Sequence, residues 1–251
     1  MRFLKNLFSR KPSEPDYPSV TDYSAVVTDI HSHLIPGIDD GVKTEEESAE
    51  MLRGFVALGY KKVITTPHVM GDHYRNTPEI ILNGLEQIRS VAAKENIPIA
   101  IDAAAEYYID DRFPEKLASG KLLTLDGKHL LFEISYMHPP DNLSQVIFDM
   151  TINGYKPLMA HPERYPFWYQ KFEEYHKLKE LGVLFQLNIG SIAGYYGLLP
   201  KKIAERMIDE NLVDFIGSDL HGVRHLNAMQ HALNDKYLWK QISKGVMNSS
   251  L

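Results

Sequence analysis

Along the chain, short apolar runs alternate with longer stretches in which apolar positions recur every three or four residues. The short runs are "AVVTDI" (25–30), "KVITT" (62–66), "IPIAIDAAA" (97–105), "HLLFEI" (129–134), "KPLMA" (156–160), "VLFQLNI" (183–189) and "DFIGS" (214–218). Their length and near-continuous hydrophobicity fit strands buried on both faces, as in parallel sheets. The longer stretches read as amphipathic helices. Thr44 with Glu47 makes a capping-box pattern ahead of "ESAEMLRGFVAL", Gly59 marks that helix's end, and Thr77–Pro78 opens "EIILNGLEQIRSVAAKEN" with proline in the first turn. Further helices are expected over 112–119, 142–153, 169–181, 200–211 and 226–243. Seven βα units predict an α/β fold whose strands close, or nearly close, into a barrel rather than an open sheet.

A length of 251 residues suits one such barrel, expected over 23–251 after a basic, proline-containing tail at 1–22. The net charge of −6 excludes a general attraction to nucleic acid, so any phosphate site must be built locally. The absence of cysteine excludes disulfides, thiolate metal sites and a cysteine nucleophile. No apolar run reaches the roughly 18 to 20 residues that span a bilayer, and "MRFLKNLFSRKP" lacks the apolar core of a secretory signal. A cytoplasmic location is expected. In that tail Arg2, Lys5, Arg10 and Lys11 interleave with Phe3, Leu4, Leu7 and Phe8. The pattern suits weak contact with an anionic membrane surface, against the plainer reading of a frayed terminus.

In a barrel the C-terminal strand ends share one face, where active sites are built. Here those ends carry ligand-type residues. His31, His33 and the Asp39–Asp40 pair follow the first strand, His68 the second, and Glu106 the third; Glu133 ends the fourth, His161 follows the fifth, and Asp219 and His221 follow the seventh. The sixth offers only Asn188. Any one of these is commonplace. Six of seven strands converging on imidazole or carboxylate at one end is not, and metal binding is the favoured reading.

Taken in order, "DIHSHLIPGIDDG", "TTPH", "AAEYY", "LFEIS", "AHPERY" and "GSDLH" resemble the PHP (polymerase and histidinol phosphatase) superfamily, within it the bacterial manganese-dependent protein-tyrosine phosphatases of capsule and exopolysaccharide synthesis. The likeness runs from about Val26 to His225. It implies a distorted (β/α)7 TIM-like barrel, the PHP fold, holding up to three metal ions. By that resemblance His31, His33, Glu106 and Asp219 serve one metal, Glu106, Glu133 and His161 a second, and Asp40, His68 and His221 a third; Asp40 is preferred to Asp39 on spacing. Arg164 of "HPERY" matches a phosphate-binding arginine, and Arg224 approximates a second at a shorter offset, with His225 its competitor.

The nitrogen and oxygen donors fit Mn2+, Fe or Zn2+ without choosing among them, and the resemblance implies Mn2+. The expected reaction is hydrolysis of phosphotyrosine by a metal-bridging hydroxide, with Asp219, Arg164 and Arg224 serving the reacting phosphate. The resemblance implies a partner as well: a phosphotyrosine protein, namely a tyrosine kinase regulating polysaccharide synthesis. It also brings homo-oligomer formation into view. Two rivals are a small-molecule phosphomonoesterase of histidinol-phosphatase type and a non-catalytic, metal-containing module that binds a phosphoprotein. Aromatics crowding the loops (Tyr107, Tyr108, Tyr136, Tyr165, Phe167, Trp168, Tyr169, Tyr195 and Tyr196) offer walls for a phenyl ring.

Overall fold

The computed structural model describes residues 17–251, so the basic tail's charged and apolar positions lie outside the described residues. The strands are β1 (Thr28–Asp29), β2 (Lys62–Thr65), β3 (His68–Val69), β4 (Ala100–Ala103), β5 (Glu106–Tyr108), β6 (His129–Glu133), β7 (Lys156–Ala160), β8 (Leu184–Asn188) and β9 (Phe215–Gly217). They form two all-parallel sheets, β1-β2-β4 and β3-β5-β6-β7-β8-β9. These reduce to seven strand lines. β2 runs on into β3 past Thr66–Pro67, where proline supplies no N–H to the ladder, and β4 runs on into β5 past Ala104–Ala105. The two breaks stay bonded to each other, Ala104 N–H donating to Thr65 O and Glu106 N–H to Pro67 O.

The last seam joins β1 to β9 just beyond their ends. Ser32 pairs with Leu220, His33 N–H donates to Leu220 O, and Asp219 N–H donates to His31 O at 2.7 Å. Buried Asp29 accepts from the Ser218 N–H and hydroxyl at 2.9 and 3.0 Å. β1 is shorter than expected because Val27 sits at φ 70, a left-handed conformation that a β-branched residue rarely adopts and that cannot continue a strand.

Helices α1 (Glu45–Ala57) and α2 (Pro78–Lys94) start where their caps predict: Thr44 Oγ1 accepts from Glu47 N–H and Thr77 Oγ1 from Ile80 N–H. Gly59, at φ 93, turns the chain out of α1. α3 (Phe113–Ala118), α4 (Leu143–Ile152), α5 (Glu173–Glu180), α6 (Ile189–Ile192) and α7 (Leu198–Asp209) follow. The single helix expected over 226–243 is two, α8 (Val223–Ala232) and α9 (Lys236–Lys244). Asp235 separates them by accepting from Tyr237 N–H as a fresh N-cap, which outweighs the continuous periodicity.

Ile30, Ile64, Ala104, Leu131, Leu158 and Phe215, in or directly after the strands, form one buried cluster, while Leu52, Phe55, Ile88, Met150 and Met207 belong to the larger cluster between strands and helices. On the seam, buried Asn248 donates to Thr28 O and Ile216 O at 2.9 and 2.7 Å and accepts from Ile216 N–H at 3.1 Å. Asn248→Ala strips partners from three main-chain groups. Urea unfolding of the variant should show a loss of about 2 to 4 kcal/mol; a change below about 0.5 kcal/mol would mean water replaces the amide there.

Candidate metal centre

Each strand end presents its side chains at one mouth of the barrel. His31 and His33 leave β1 two residues apart, so the period-two alternation of an extended chain points both the same way. His68 and Glu106 open β3 and β5 and are register partners; Glu133 ends β6. His161 and Asp219 both have positive φ, 35 and 50. Such non-glycine backbone costs on the order of 1 kcal/mol or more each, and here it turns the chain sharply at the strand end so that the side chain faces the cluster.

All nine residues expected as ligands meet. His31 Nε2 lies 3.2 Å from Glu106 Oε2 and 3.4 Å from Asp219 Oδ1; His33 Nε2 is 3.5 Å from both of those oxygens. His68 Nδ1 is 3.1 Å from Glu106 Oε2 and 3.2 Å from Glu133 Oε1, and its Nε2 is 3.4 Å from Asp40 Oδ1. His161 Nε2 is 3.0 Å from Glu106 Oε1, and His221 Nε2 is 3.4 Å from Asp40 Oδ1. Four overlapping groups could each hold an ion: His33, Asp40, His68 and His221; His31, Glu106 and His161; His31, His33 and Asp219; and His68, Glu106 and Glu133. This partition pairs His33 with the Asp40 set and His68 with Glu133, unlike the sets carried over by resemblance, while Glu106 keeps its shared position.

A metal suits these residues on two counts. Among the described residues His31 Nε2, His33 Nε2, His68 Nδ1 and Glu106 Oε2 are buried without a hydrogen-bond partner, a costly arrangement unless a further group completes it. Their spacing also matches: donors about 2.1 Å from one ion are about 3.0 to 3.4 Å apart in octahedral or tetrahedral geometry. Without a cation, protons take its place. Burial opposes charge on His31, but Glu106 and Asp219 outweigh it and raise its pKa to about 9. His68, against the same burial, is pushed up to about 12 by Glu106, Asp40 and Glu133. Glu106 and Asp219 fall well below the usual carboxylate range despite burial, held ionised foremost by His31.

A further layer fixes the imidazoles. Asp39 Oδ2 accepts from His33 Nδ1–H at 2.7 Å and Gln186 Oε1 from His31 Nδ1–H at 2.7 Å, which leaves each Nε2 lone pair for the cluster. Asp39 and Asp40 thus divide: Asp39 is buried and also accepts from the Gly41 and His68 N–H groups, while half-exposed Asp40 faces His68 and His221. The turn permits this because Gly41 packs on His33, where an added Cβ would lie 2.3 Å from its carbonyl oxygen. Asp39→Asn should weaken metal affinity 10- to 100-fold by competitive chelator titration. Affinity within two-fold of the parent would remove Asp39 from this role. Neither Asp39's role nor Gln186's was legible in advance, since nothing about an aspartate beside an aspartate, or a glutamine within a strand, marks such a partner.

Above the cluster opens a pocket of about 250 Å3, lined in part by Met70, Tyr74, Tyr108, Tyr136 and Arg164. Arg164 pairs with Asp219 Oδ2 and lies 4.1 Å from the centre of the Tyr196 ring and 5.3 Å from that of Tyr136. Of the aromatics singled out, Tyr108, Tyr136 and Tyr196 reach this region, whereas Tyr107, Tyr165 and Trp168 are core. Tyr74 was missed. Arg224 lines a separate surface cavity, and His225 takes the inner position, its ring 5.5 Å from His221 and its pKa lowered to about 4 by burial. No helix among the described residues is long and apolar enough to cross a membrane.

Comparison with known proteins gives a consistent set of relatives. The family model described as "Capsular polysaccharide synthesis, CpsB/CapC" matches residues 27–249. The tyrosine-protein phosphatase YwqE of Bacillus subtilis (strain 168) is 34% identical over 200 residues, 79% of each chain. The tyrosine-protein phosphatase CpsB of Streptococcus agalactiae serotype V is 27% identical over 201 residues, 78% of this chain and 83% of that one. A solved structure from work on YwqE and Streptococcus pneumoniae CpsB, described there as "unique metal-dependent tyrosine phosphatases", superposes with a TM-score of 0.78 at 33% identity, over 85% of this chain and 87% of the other. The barrel is thus of the distorted TIM-like kind.

Proposed function

Because the chain belongs to the CpsB/CapC family of capsular polysaccharide synthesis, we propose that it is a metal-dependent phosphatase acting on protein phosphotyrosine, with a tyrosine kinase of polysaccharide synthesis as its cytoplasmic target. The observation that carries this reading is the set of buried, unpartnered donors gathered beneath a tyrosine-walled pocket with one arginine at its edge. The nine residues His31, His33, Asp40, His68, Glu106, Glu133, His161, Asp219 and His221 would hold the ions; their nitrogen and oxygen donors admit Mn2+, Fe or Zn2+ alike, and it is the resemblance to manganese-dependent phosphatases that favours Mn2+. When bound, such ions supply an activated water at neutral pH and positive charge for a phosphate dianion.

The chain's own groups do the rest. Tyr74, Tyr108 and Tyr136 offer flat walls for the phenyl ring. Arg164, steadied between Tyr136 and Tyr196, presents a planar fork to phosphate oxygens. A phenol leaving group, with a pKa near 10, needs less help from a general acid than an alkyl alcohol does. With no cysteine in the chain, a thiol mechanism is closed.

Chelation should therefore abolish hydrolysis of a phosphotyrosine peptide, added Mn2+ should restore it, and a thiol alkylator should leave it intact. Histidinol phosphate turned over as well as the peptide would refute the tyrosine assignment. Metal uptake should be pH-dependent. His31 and His68 must lose protons to act as ligands, and both hold them at pH 7 in the metal-free chain. Loading then releases protons, and affinity falls about ten-fold per pH unit for each proton as pH drops. Calorimetry in buffers of different ionisation enthalpy reads the count, and a count of zero would contradict this ligand set. The sign for stability is opposite: a raised histidine pKa stabilises the metal-free fold below about pH 6.5, and that contribution disappears as pH rises through about 9.

A further inference from the structure

Beside the metal pocket lies a second cavity of about 360 Å3, formed where the segment after α6 meets α8 and lined by Gly194, Tyr195, Arg224, Asn227, Ala228 and His231 among others. The two are neighbours. His225 stands between them, its ring 4.9 Å from Tyr195 on one side and 5.5 Å from His221 on the other. Arg224 is exposed, and among the described residues it makes no ion pair or side-chain hydrogen bond; no carboxylate lines the cavity. Among the described residues, by contrast, Arg53 pairs with Glu95, Arg89 with Glu86 and Asp102, and Arg206 with Glu210. An unopposed guanidinium in a cavity that Tyr195 also lines is suited to a carboxylate whose stem packs on the ring.

Resting on the phosphotyrosine reading, we propose that this cavity is a substrate subsite that takes an acidic side chain flanking the phosphotyrosine, with Arg224 as its specificity-determining residue. The spacing permits it. Extended peptide advances about 3.3 to 3.6 Å per residue, so a chain whose phosphotyrosine enters the metal pocket passes Tyr195 within about three residues. Tyr195 and Val223, both well exposed at this edge, give the backbone an apolar ledge. The subsite explains why Arg224 stands outside the metal pocket although it follows the "SDLH" motif closely: it meets the protein part of the substrate rather than the phosphate.

The test uses full-length, Mn2+-loaded protein and phosphotyrosine peptides carrying Glu, Ala or Lys at each of the three positions on either side. The readout is the ratio of kcat/KM for the Glu peptide to that for the Lys peptide. At one flank the parent should favour Glu about three- to five-fold over Ala, the range of a good exposed ion pair. Arg224→Ala should bring the ratio to about one, Arg224→Glu should invert it, and Asn227→Lys should enlarge it. A preference that survives Arg224→Ala overturns the subsite. So does a parent indifferent to flanking charge. If Arg224→Ala lowers hydrolysis of p-nitrophenyl phosphate as much as that of the peptides while the ratio stays fixed, Arg224 serves the phosphate instead and the subsite is refuted. Failure of the loaded parent to hydrolyse any aryl phosphate would refute the phosphatase reading itself, a separate result from a parent that is active but unselective.

Discussion

Replacing Glu106 with glutamine is expected to lower kcat for a phosphotyrosine peptide by about 10³-fold or more and to reduce bound metal, read by elemental analysis of the same sample. Among the described residues no other side chain meets so many of the cluster's histidines. Its two oxygens lie within 3.5 Å of His31, His33, His68 and His161, and its side chain is fully buried. The amide is nearly isosteric, so packing is preserved. What changes is charge: four imidazoles lose their common counter-ion, and one face of the group becomes an N–H donor pointed at atoms that must accept or coordinate. A glutamine variant with full metal and activity above about one tenth of the parent would show that Glu106 is only a structural partner of the histidines.

Arg164→Lys should separate phosphate binding from metal binding. The guanidinium lies between two tyrosine rings and beside Asp219, an arrangement that depends on its planarity. Lysine keeps the charge but neither stacks as a plane nor offers two parallel N–H groups to a phosphate. We expect kcat/KM to fall about 10²- to 10³-fold with metal content unchanged. Loss of metal in the variant would instead mean that Arg164 chiefly holds Asp219 in place.

How far the sequence disclosed this site depends on what each residue has to satisfy. Ligand chemistry restricts strand ends to histidine and carboxylate, so His31, His33, His68, Glu106, Glu133, His161, Asp219 and His221 stood out by type and position together. Partners that orient those ligands are less constrained. Any acceptor of suitable reach could hold an imidazole N–H, which is why Gln186 was invisible and the choice between Asp39 and Asp40 needed coordinates. Arg224 and His225 are adjacent on one helix, and an angular step of about 100° per residue sends one outward and the other toward His221. Periodicity also carries no information about a break that keeps its phase: α8 and α9 read as one helix because Asp235 changes the backbone without disturbing the apolar spacing. The pauses within the β2–β3 and β4–β5 lines are hidden likewise, since neighbouring hydrogen bonds preserve the strand direction.

The seam between β1 and β9 has a consequence for how the protein acquires its site. Asp29 and Ser218 are 189 positions apart in the chain, and His31 and Asp219 follow them on either side of the join. Contacts of such long sequence separation form late, because a very large loop must close before they contribute anything. The two ligand pairs contributed by the first and last strands therefore cannot face each other until nearly the whole barrel has assembled. A nascent chain, or one that stops before β9, lacks the second of those pairs and cannot complete the cluster, so activity is a readout of completed folding.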